Sequence, residues 1–235
     1  MPLQKLKLVL LPGLDGTGEL FVDFVKALPD AFEVAVIRYP VDVCLSYAQL
    51  AELVVDAIPV SEPFVLLAES FSTPLAIHFA ATNPVNLQAL VLCAGFASSP
   101  VKGWLRFICA KLAPIAFRVA IPDIGIRLLL IGADAPDSLV AAVRAAISSV
   151  LPLVISTRVH EVLLCDKRAE LERIAAPILY IRGEQDRLVR ARCLAEIIEI
   201  RPETVVMSLR AAHLLLQREP RQTAEIVANF FQELG

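Results

Sequence analysis

The stretch LLAESFSTPLAI (residues 66–77) places one serine between an apolar run and a segment of helical period. In parallel α/β sheets, a sharp strand-to-helix turn of the form G-x-S-x-G exposes a nucleophilic serine at the carboxyl edge. Both glycines are absent here, but Ala68 and Ser72 stand in their places and are small enough for strand and helix to cross closely. Pro74 falls in the first helical turn, where its missing N–H costs little. The stretch predicts a strand, a turn at Ser70 and a helix, although a serine here is also a common helix N-cap.

Short apolar runs alternate along the chain with segments of helical period. Six runs fit buried strands: residues 5–11, 32–39, 63–69, 87–93, 177–183 and 204–210. Helical patterns cover residues 19–28, 46–58, 74–82, 191–200 and 223–234. Ser46 and Gln49 form a capping box at the head of the second helix. The alternation predicts an α/β fold, with a mostly parallel sheet of about six strands covered on both faces.

One connection is too long for a single crossover helix. Between the strands 87–93 and 177–183, residues 99–166 form a helical pattern interrupted by prolines. We expect this segment to be a cap of short helices over the carboxyl edge of the sheet, where such folds hold ligands. Residues 1–98 and 167–235 are then one core domain. The alternative is a packing insertion with no role in a site.

Composition excludes several classes of protein. With 235 residues the chain suits one α/β domain with an insertion, and no apolar run reaches the about 20 uncharged residues of a membrane span. A net charge of -3 argues against nucleic-acid binding. The five scattered cysteines indicate reduced thiols and a cytoplasmic location. Three histidines without metal-ligand spacing predict neither a metal nor another cofactor.

A nucleophilic serine requires a histidine to take its proton, and usually a carboxylate to orient that histidine. In sheets of this kind the chain order is serine, acid, histidine, each in a loop after a strand. Asp186 follows the strand 177–183 in GEQDRLV, and His213 follows the last strand in RAAHLLLQ. Ser70, Asp186 and His213 therefore agree with a catalytic triad in residue type, in their order along the chain and in their positions after strands.

Other acids and histidines fit these roles less well. Asp15 lies in a different loop, Glu69 flanks the serine and is expected to point away, and Glu184 precedes the tip of its turn. His78 lies within the helix after the elbow, and His160 lies in the insertion without a preceding strand.

The loop LPGLDGTG (residues 11–18) follows the first strand and contains three glycines. Acyl transfer develops an oxyanion that needs two N–H donors, one from the residue after the nucleophile and one from a neighbouring loop. These donors are predicted to be the N–H groups of Phe71 and Leu14. A nucleotide site is disfavoured, because the loop lacks both G-x-G-x-x-G and G-K-[ST].

The motifs LPGLDGTG, AESFS, GEQDRLV and HLLLQ, in this order, resemble those of the α/β-hydrolase family over essentially the whole chain. The resemblance implies a three-layer α/β-hydrolase fold with a triad of Ser70, Asp186 and His213 and oxyanion donors at Leu14 and Phe71. Because the sequence starts at the strand before LPGLDGTG, the antiparallel strands that open the family's sheet are expected to be absent.

The insertion is the main indicator of substrate. Residues 101–160 carry a formal charge of +4, against -7 for the rest, from the basic residues Lys102, Arg106, Lys111, Arg118, Arg127, Arg144 and Arg158. Gly13, Trp104 and Phe107 are the candidate substrate contacts. An apolar, basic cap suits a small-molecule acyl ester, and it resembles that of the pimeloyl-[acyl-carrier-protein] methyl ester esterases. An acidic acyl carrier protein or an anionic lipid surface would be the partner. The alternative is a cap whose apolar residues pack on the body while its basic residues are solvated.

Three functions fit these residues. The first is a serine hydrolase that cleaves carboxylic esters, or thioesters, through an acyl-enzyme. The second is an acyltransferase that uses the same triad with an alcohol acceptor, since the LPGLDGTG loop also resembles those of plant-type phytyl ester synthases. The third is a non-catalytic ligand-binding protein. A serine rather than an aspartate at position 70 argues against dehalogenase chemistry.

Overall fold

The computed structural model describes residues 5–58, 61–104, 106–108 and 122–234. They contain one sheet with the strands β1 (Leu6–Leu11), β2 (Phe32–Val36), β3 (Phe64–Glu69), β4 (Leu87–Cys93), β5 (Ile178–Gly183) and β6 (Val205–Leu209). The spatial order is β2-β1-β3-β4-β5-β6, and all five pairings are parallel. The predicted fold class, a parallel sheet of about six strands, is confirmed.

Helices cover both faces of this sheet, and further helices lie in the segment 99–166. They are α1 (Val22–Ala27), α2 (Tyr47–Ala57), α3 (Thr73–Ala80), α4 (Asp123–Ile126), α5 (Asp137–Ser148), α6 (Pro152–Leu164), α7 (Arg168–Glu172), α8 (Ala191–Ile200), α9 (Leu215–Arg218) and α10 (Pro220–Leu234). A 3-10 turn, Glu19–Phe21, leads into α1, and a π-helical turn, Arg127–Ile131, follows α4. Side chains of α2, α3 and α8 share one core cluster, and those of α1, α9 and α10 share the other.

Alternation along the central strands explains the two cores. All six residues of β3 are buried, and successive side chains point to opposite faces of the sheet. Leu66 and Ala68 lie in the cluster beneath α2 and α3, whereas Val65 and Leu67 lie in the cluster beneath α1 and α10. A strand with helices on both sides can thus be apolar throughout, as the run FVLLA indicates.

The predicted elements agree with the observed ones except at some ends. The capping box of Ser46 and Gln49 is present at the start of α2, which confirms that prediction. The strand predicted over 32–39 ends at Val36, because the N–H of Tyr39 donates to the carbonyl of Gly16 at 2.8 Å instead of continuing the sheet. The last helix begins at Pro220 rather than at residue 223.

The segment 99–166 leaves and re-enters the body at one place. Ser98 and Asp166 form an antiparallel bridge, and the N–H of Ser99 donates to the carbonyl of Cys165 at 3.1 Å. Its helices pack against loops at the carboxyl edge of the sheet, with Val150, Val154 and Ile155 against Leu14 and Val41. Residues 105 and 109–121, with the predicted features at Lys111, Pro114 and Arg118, lie outside the described residues.

The helices of the described residues differ from membrane spans in length and composition. A span needs about 20 apolar residues. Within residues 5–58, 61–104, 106–108 and 122–234, no single helix is long and apolar enough. The pair α5 and α6 reaches the required length and composition only when both helices are taken together, and it is bent by 95°.

Candidate active site

Ser70 lies on a sharp turn between β3 and α3. It has a φ of 47°, in the left-handed region that non-glycine residues rarely adopt. A 3-10 turn, Ser70–Ser72, joins the strand to the helix, and Pro74 lies in the first turn of α3. Ala68 and Ser72 are fully buried, so only small side chains fit on either side of the serine. Strained backbone of this kind is typical of nucleophile elbows.

Ser72, which replaces the second glycine of the usual elbow motif, ties the elbow to the loop after β1. Its hydroxyl donates to the carbonyl of Pro12, and it lies 2.7 Å from the hydroxyl of Tyr39. Because the single hydroxyl proton of Ser72 is used on Pro12, the Tyr39 hydroxyl is the donor of the second bond. A glycine here would lose both connections.

Two tyrosines hold the neighbouring residue Phe71. The Tyr47 hydroxyl donates to the carbonyl of Phe71 at 2.7 Å, and the two rings stack with centroids 5.0 Å apart. Tyr39 meets the same ring edge-on at 6.1 Å. Burial raises the pKa of both tyrosines, so each hydroxyl stays protonated and able to donate. The backbone after Ser70 is thereby fixed by one side chain from the loop after β2 and one from α2.

Ser70, His213 and Asp186 are joined by a chain of hydrogen bonds. The Oγ of Ser70 lies 2.7 Å from Nε2 of His213, and Nδ1 of His213 lies 2.8 Å from Oδ2 of Asp186. The other oxygen of Asp186 accepts from the N–H groups of Leu188 at 2.8 Å and Val189 at 2.9 Å. The structure thus brings together the three residues that the sequence selects, although they are far apart in the chain.

The environment of His213 suits a base held in one orientation. Burial disfavours its charged form, but the hydrogen bond to Asp186 and the Asp186 charge outweigh this effect, and the pKa of His213 is raised. A carboxylate on Nδ1 makes that nitrogen the donor, which leaves Nε2 to accept the proton of Ser70.

The other candidate acids and histidines lie elsewhere. His78 is 45% exposed, near Glu170, and His160 is 49% exposed, near Glu161. Asp15 is buried, but its carboxylate accepts from the N–H and the hydroxyl of Thr17 and so closes its own loop.

The loop after β1 lies beside the elbow. The carbonyl of Gly13 accepts from the N–H of Gly16 at 3.0 Å, which makes a tight turn, and Gly16 has a φ of 70°. The hydrogen bonds of the described residues include none donated by the N–H of Leu14 or of Phe71. Their role as oxyanion donors stays a prediction.

Glu69 has a surprising environment for a residue expected to point away from the site. It is 1% exposed; its Oε2 accepts from Nε2 of Gln217 at 3.3 Å, and its Oε1 has no partner among the described residues. Burial raises its pKa to about 7, with the charge of His213 opposing this shift and that of Asp15 adding to it. A Cβ atom at Gly13 would lie 3.3 Å from Oε2 of Glu69, so this carboxyl also borders the loop after β1.

The predicted substrate contacts of the insertion lie at its surface. Trp104 is 73% and Phe107 is 50% exposed, and the guanidinium of Arg106 lies over the Phe107 ring at 4.7 Å. Both aromatic residues adjoin the undescribed residues 105 and 109–121. Their role as substrate contacts stays a prediction.

Sequence reasoning missed three contributors to this site. The sequence predicts only a small side chain at Ser72, a side chain of Glu69 that points away from the site, and a basic charge in the insertion at Arg158. Arg158 is 2% exposed and donates to the carbonyl oxygens of Leu14 and Asp15. One available signal was the apolar setting of Glu69 in FVLLAES, since a carboxyl at the end of a fully buried strand is rarely solvated.

Among the described residues, no group of three or more His, Cys, Asp or Glu side chains is placed to hold a metal ion.

Comparison with known proteins identifies the fold. No protein-family model and no curated protein matches the sequence. A thermophilic esterase from Thermogutta terrifontis is 16% identical with a TM-score of 0.83, over 98% of this chain and 91% of that one. A hydrolase from Oleispira antarctica is 16% identical with a TM-score of 0.82, over 97% and 91% of the two chains. An enol-lactonase from Burkholderia xenovorans LB400 is 17% identical with a TM-score of 0.79, over 97% and 92%. These likenesses show that the chain has the α/β-hydrolase fold.

Proposed function

We propose that the protein is a serine hydrolase that cleaves carboxylic esters or thioesters through an acyl-enzyme on Ser70. One observation carries this proposal: the hydrogen-bonded chain from Ser70 through His213 to Asp186, which begins on a strained elbow. The likeness in fold to esterases and other hydrolases agrees with it.

In the proposed reaction, Nε2 of His213 takes the proton of Ser70 while Oγ attacks the carbonyl carbon of the ester. The N–H groups of Leu14 and Phe71 bind the resulting oxyanion, and the N-terminus of α3 adds a favourable dipole. His213 then donates the proton to the leaving alcohol or thiol. Finally, water gives one proton to His213 and attacks the acyl-enzyme. The bond between Ser70 Oγ and the acyl group then breaks, His213 returns the proton to Oγ, and the acid leaves. Asp186 holds the imidazole in the required tautomer throughout.

We propose further that residues 99–166 form a cap over this site. The helices α4 to α6 support this role, because they pack on loops at the carboxyl edge. Leu130 accepts a hydrogen bond from the N–H of Leu214, next to His213, at 2.8 Å, and Leu151 donates to the carbonyl of Val41 at 2.9 Å.

A free small-molecule acyl ester is the substrate class we propose. The contacts of the basic residues in the insertion weaken the charge argument for an acidic carrier protein or an anionic lipid surface. The formal charge of +4 already counts Asp137 and Asp123, which pair with Arg127 and Arg144, but Arg158 is buried on backbone carbonyls and is not accessible to a partner. We expect kcat/KM for such an ester to be unchanged across a salt series. With carrier-bound or vesicle-bound substrates, a steep fall of kcat/KM with salt would instead favour a charged partner.

The proposed function is tested with p-nitrophenyl esters from acetate to palmitate. We expect turnover with an optimum in chain length, and a loss of about 10⁴-fold or more in Ser70→Ala, because this variant lacks the hydroxyl that accepts the acyl group. Circular dichroism provides the control for folding. Ester hydrolysis that survives in Ser70→Ala would overturn the proposal.

A further inference from the structure

Arg158 connects the insertion to the loop that carries the predicted oxyanion donor Leu14. It lies on α6 and is 2% exposed. Its Nη1 donates to the carbonyl oxygens of Leu14 at 2.9 Å and Asp15 at 2.6 Å, and its Nη2 donates to that of Pro40 at 2.8 Å. Between 118 and 144 residues separate Arg158 from these acceptors along the chain. The contacts therefore depend on the folded arrangement of insertion and body.

The site of Arg158 is built for a planar guanidinium. The guanidinium carbon lies 5.8 Å from the centroid of the Tyr39 ring and 6.0 Å from that of Phe71. Burial lowers the pKa of Arg158, and the nearby charge of Asp15 opposes that shift. A guanidinium has five donors in a fixed fork and can serve three carbonyls while contacting two rings, whereas an ammonium group presents one compact charge.

Gly16 makes room for this group. It has a φ of 70°, and a Cβ atom built there would lie 2.6 Å from Nη1 of Arg158. Even the smallest side chain at position 16 would therefore have to displace the guanidinium. A side chain at Gly16 and the guanidinium of Arg158 would compete for the same space, although the two residues are 142 positions apart in the chain.

Arg158 holds the two peptides that directly follow the peptide carrying the Leu14 N–H. The peptide group between Gly13 and Leu14 is planar and trans, so its N–H points opposite to the Gly13 carbonyl. That carbonyl is held by the N–H of Gly16. The preceding peptide is held by Ser72, whose hydroxyl donates to the carbonyl of Pro12. The next two peptides are held by Arg158, which donates to the carbonyls of Leu14 and Asp15. Without Arg158, the carbonyls of Leu14 and Asp15 lose this partner, while the carbonyl of Gly16 is still held by the N–H of Tyr39.

We propose that Arg158 is a positioning residue of the active site, which aims the Leu14 N–H at the oxyanion by holding the carbonyls of Leu14 and Asp15. This inference rests on the proposed function, since it assigns Arg158 to the chemical step of that reaction. The insertion then contributes to catalysis itself, in addition to covering the site.

The alternative is that Arg158 only anchors the insertion to the body. A second ion pair between insertion and body provides the control for this alternative. Asp134 of the insertion lies 2.6 Å from Arg218 of α9, so this pair also joins insertion and body, but it does not contact the loop 13–16. If Arg158 served only to anchor the insertion, Asp134→Ala and Arg158→Ala would have effects of the same kind.

The kinetic test compares Arg158→Ala, Arg158→Lys and Asp134→Ala on the best p-nitrophenyl ester. We expect kcat to fall about 10- to 100-fold in both Arg158 variants, less than the roughly 10²–10³ that loss of an oxyanion donor causes, with KM nearly unchanged. Low millimolar guanidinium chloride should restore part of kcat in Arg158→Ala, and sodium chloride at equal ionic strength should not. Asp134→Ala should match the wild type. Equal effects at positions 134 and 158, or a change confined to KM, would overturn the inference.

Hydrogen exchange separates failure of this inference from failure of the proposed function, because it needs no turnover. In the Ser70→Ala background, the amides of residues 14–16 should exchange faster when Arg158 is replaced by lysine, which keeps the charge, than when Asp134 is replaced by alanine. Unchanged exchange at residues 14–16 would show that Arg158 does not hold the loop, whatever reaction the protein performs.

Discussion

Two buried carboxyl groups act on His213, and their surroundings differ. Asp186, in the turn after β5, receives three hydrogen bonds: one from Nδ1 of His213 and two from backbone N–H groups. Glu69, at the end of β3, receives one long bond from Gln217 on Oε2, and Oε1 has no partner among the described residues. Donors stabilise a carboxylate, whereas burial without donors favours the neutral acid. Burial alone therefore does not identify the acid that orients a histidine; the donors around it do.

The largest expected effect separates these two acids by their roles. Asp186→Asn should lower kcat by about 10⁴, because an amide favours the wrong tautomer of His213. Glu69→Gln should keep kcat within about tenfold of the wild type at pH 8. Steady-state kinetics on one ester, with both variants side by side, measures the difference. Equal losses in the two variants would break the distinction between them.

The second prediction concerns how Glu69 makes the folding stability of the protein depend on pH. The pKa of Glu69 is about 7 in the folded protein, above its ordinary value of 4.5, so the folded state binds this proton more tightly than the unfolded state. Its contribution to stability is fully present below pH 4.5 and is lost as the pH rises through about 7. Glu69→Gln removes this loss. Relative to the wild type, the free energy of unfolding of the variant should rise by about 3 kcal/mol between these limits.

Urea unfolding at pH 5, 6, 7 and 8 measures that change, with Glu184→Gln as the control, since Glu184 is an exposed acid in the turn of Asp186. A difference between Glu69→Gln and wild type that does not vary with pH would mean that Glu69 titrates normally.

The smallest effect concerns the pH dependence of turnover. The free enzyme needs neutral His213, so kcat/KM rises with pH through the pKa of this residue. Burial lowers the pKa of His213, while the hydrogen bond and charge of Asp186 and then the charge of Glu69 raise it, with a net increase. Asp15 and Cys93 are the other titratable groups that interact with Glu69. In Glu69→Gln the acidic limb should move to lower pH by less than about one unit. A shift to higher pH would contradict the electrostatic account.

The sheet could be predicted from the sequence because a strand buried on both faces must be apolar along its whole length. Apolar runs of strand length appear in order, and chain order places Ser70, Asp186 and His213 at one edge, where parallel strands all end. The ends of elements leave no such pattern. β2 stops before the predicted end because the N–H of Tyr39 donates to the carbonyl of Gly16, and this contact joins two loops that are distant in sequence.

The supporting contacts of the site could not be predicted in the same way. The role of Arg158 depends on three backbone carbonyls, and carbonyls are present at every residue, so the sequence offers no pattern for it. The hydroxyl of Ser72 and the unpaired oxygen of Glu69 likewise depend on what folding brings near them.

The central claim is that Ser70 is a nucleophile activated by His213, and covalent labelling tests it most directly. The protein is treated with a p-nitrophenyl phosphonate ester, digested and analysed by mass spectrometry, in parallel with His213→Gln. The account predicts one phosphonyl group per chain on the peptide that contains Ser70, and labelling that is slower by several orders of magnitude in His213→Gln. An unlabelled Ser70 in the folded wild type, or equal labelling in His213→Gln, would contradict it.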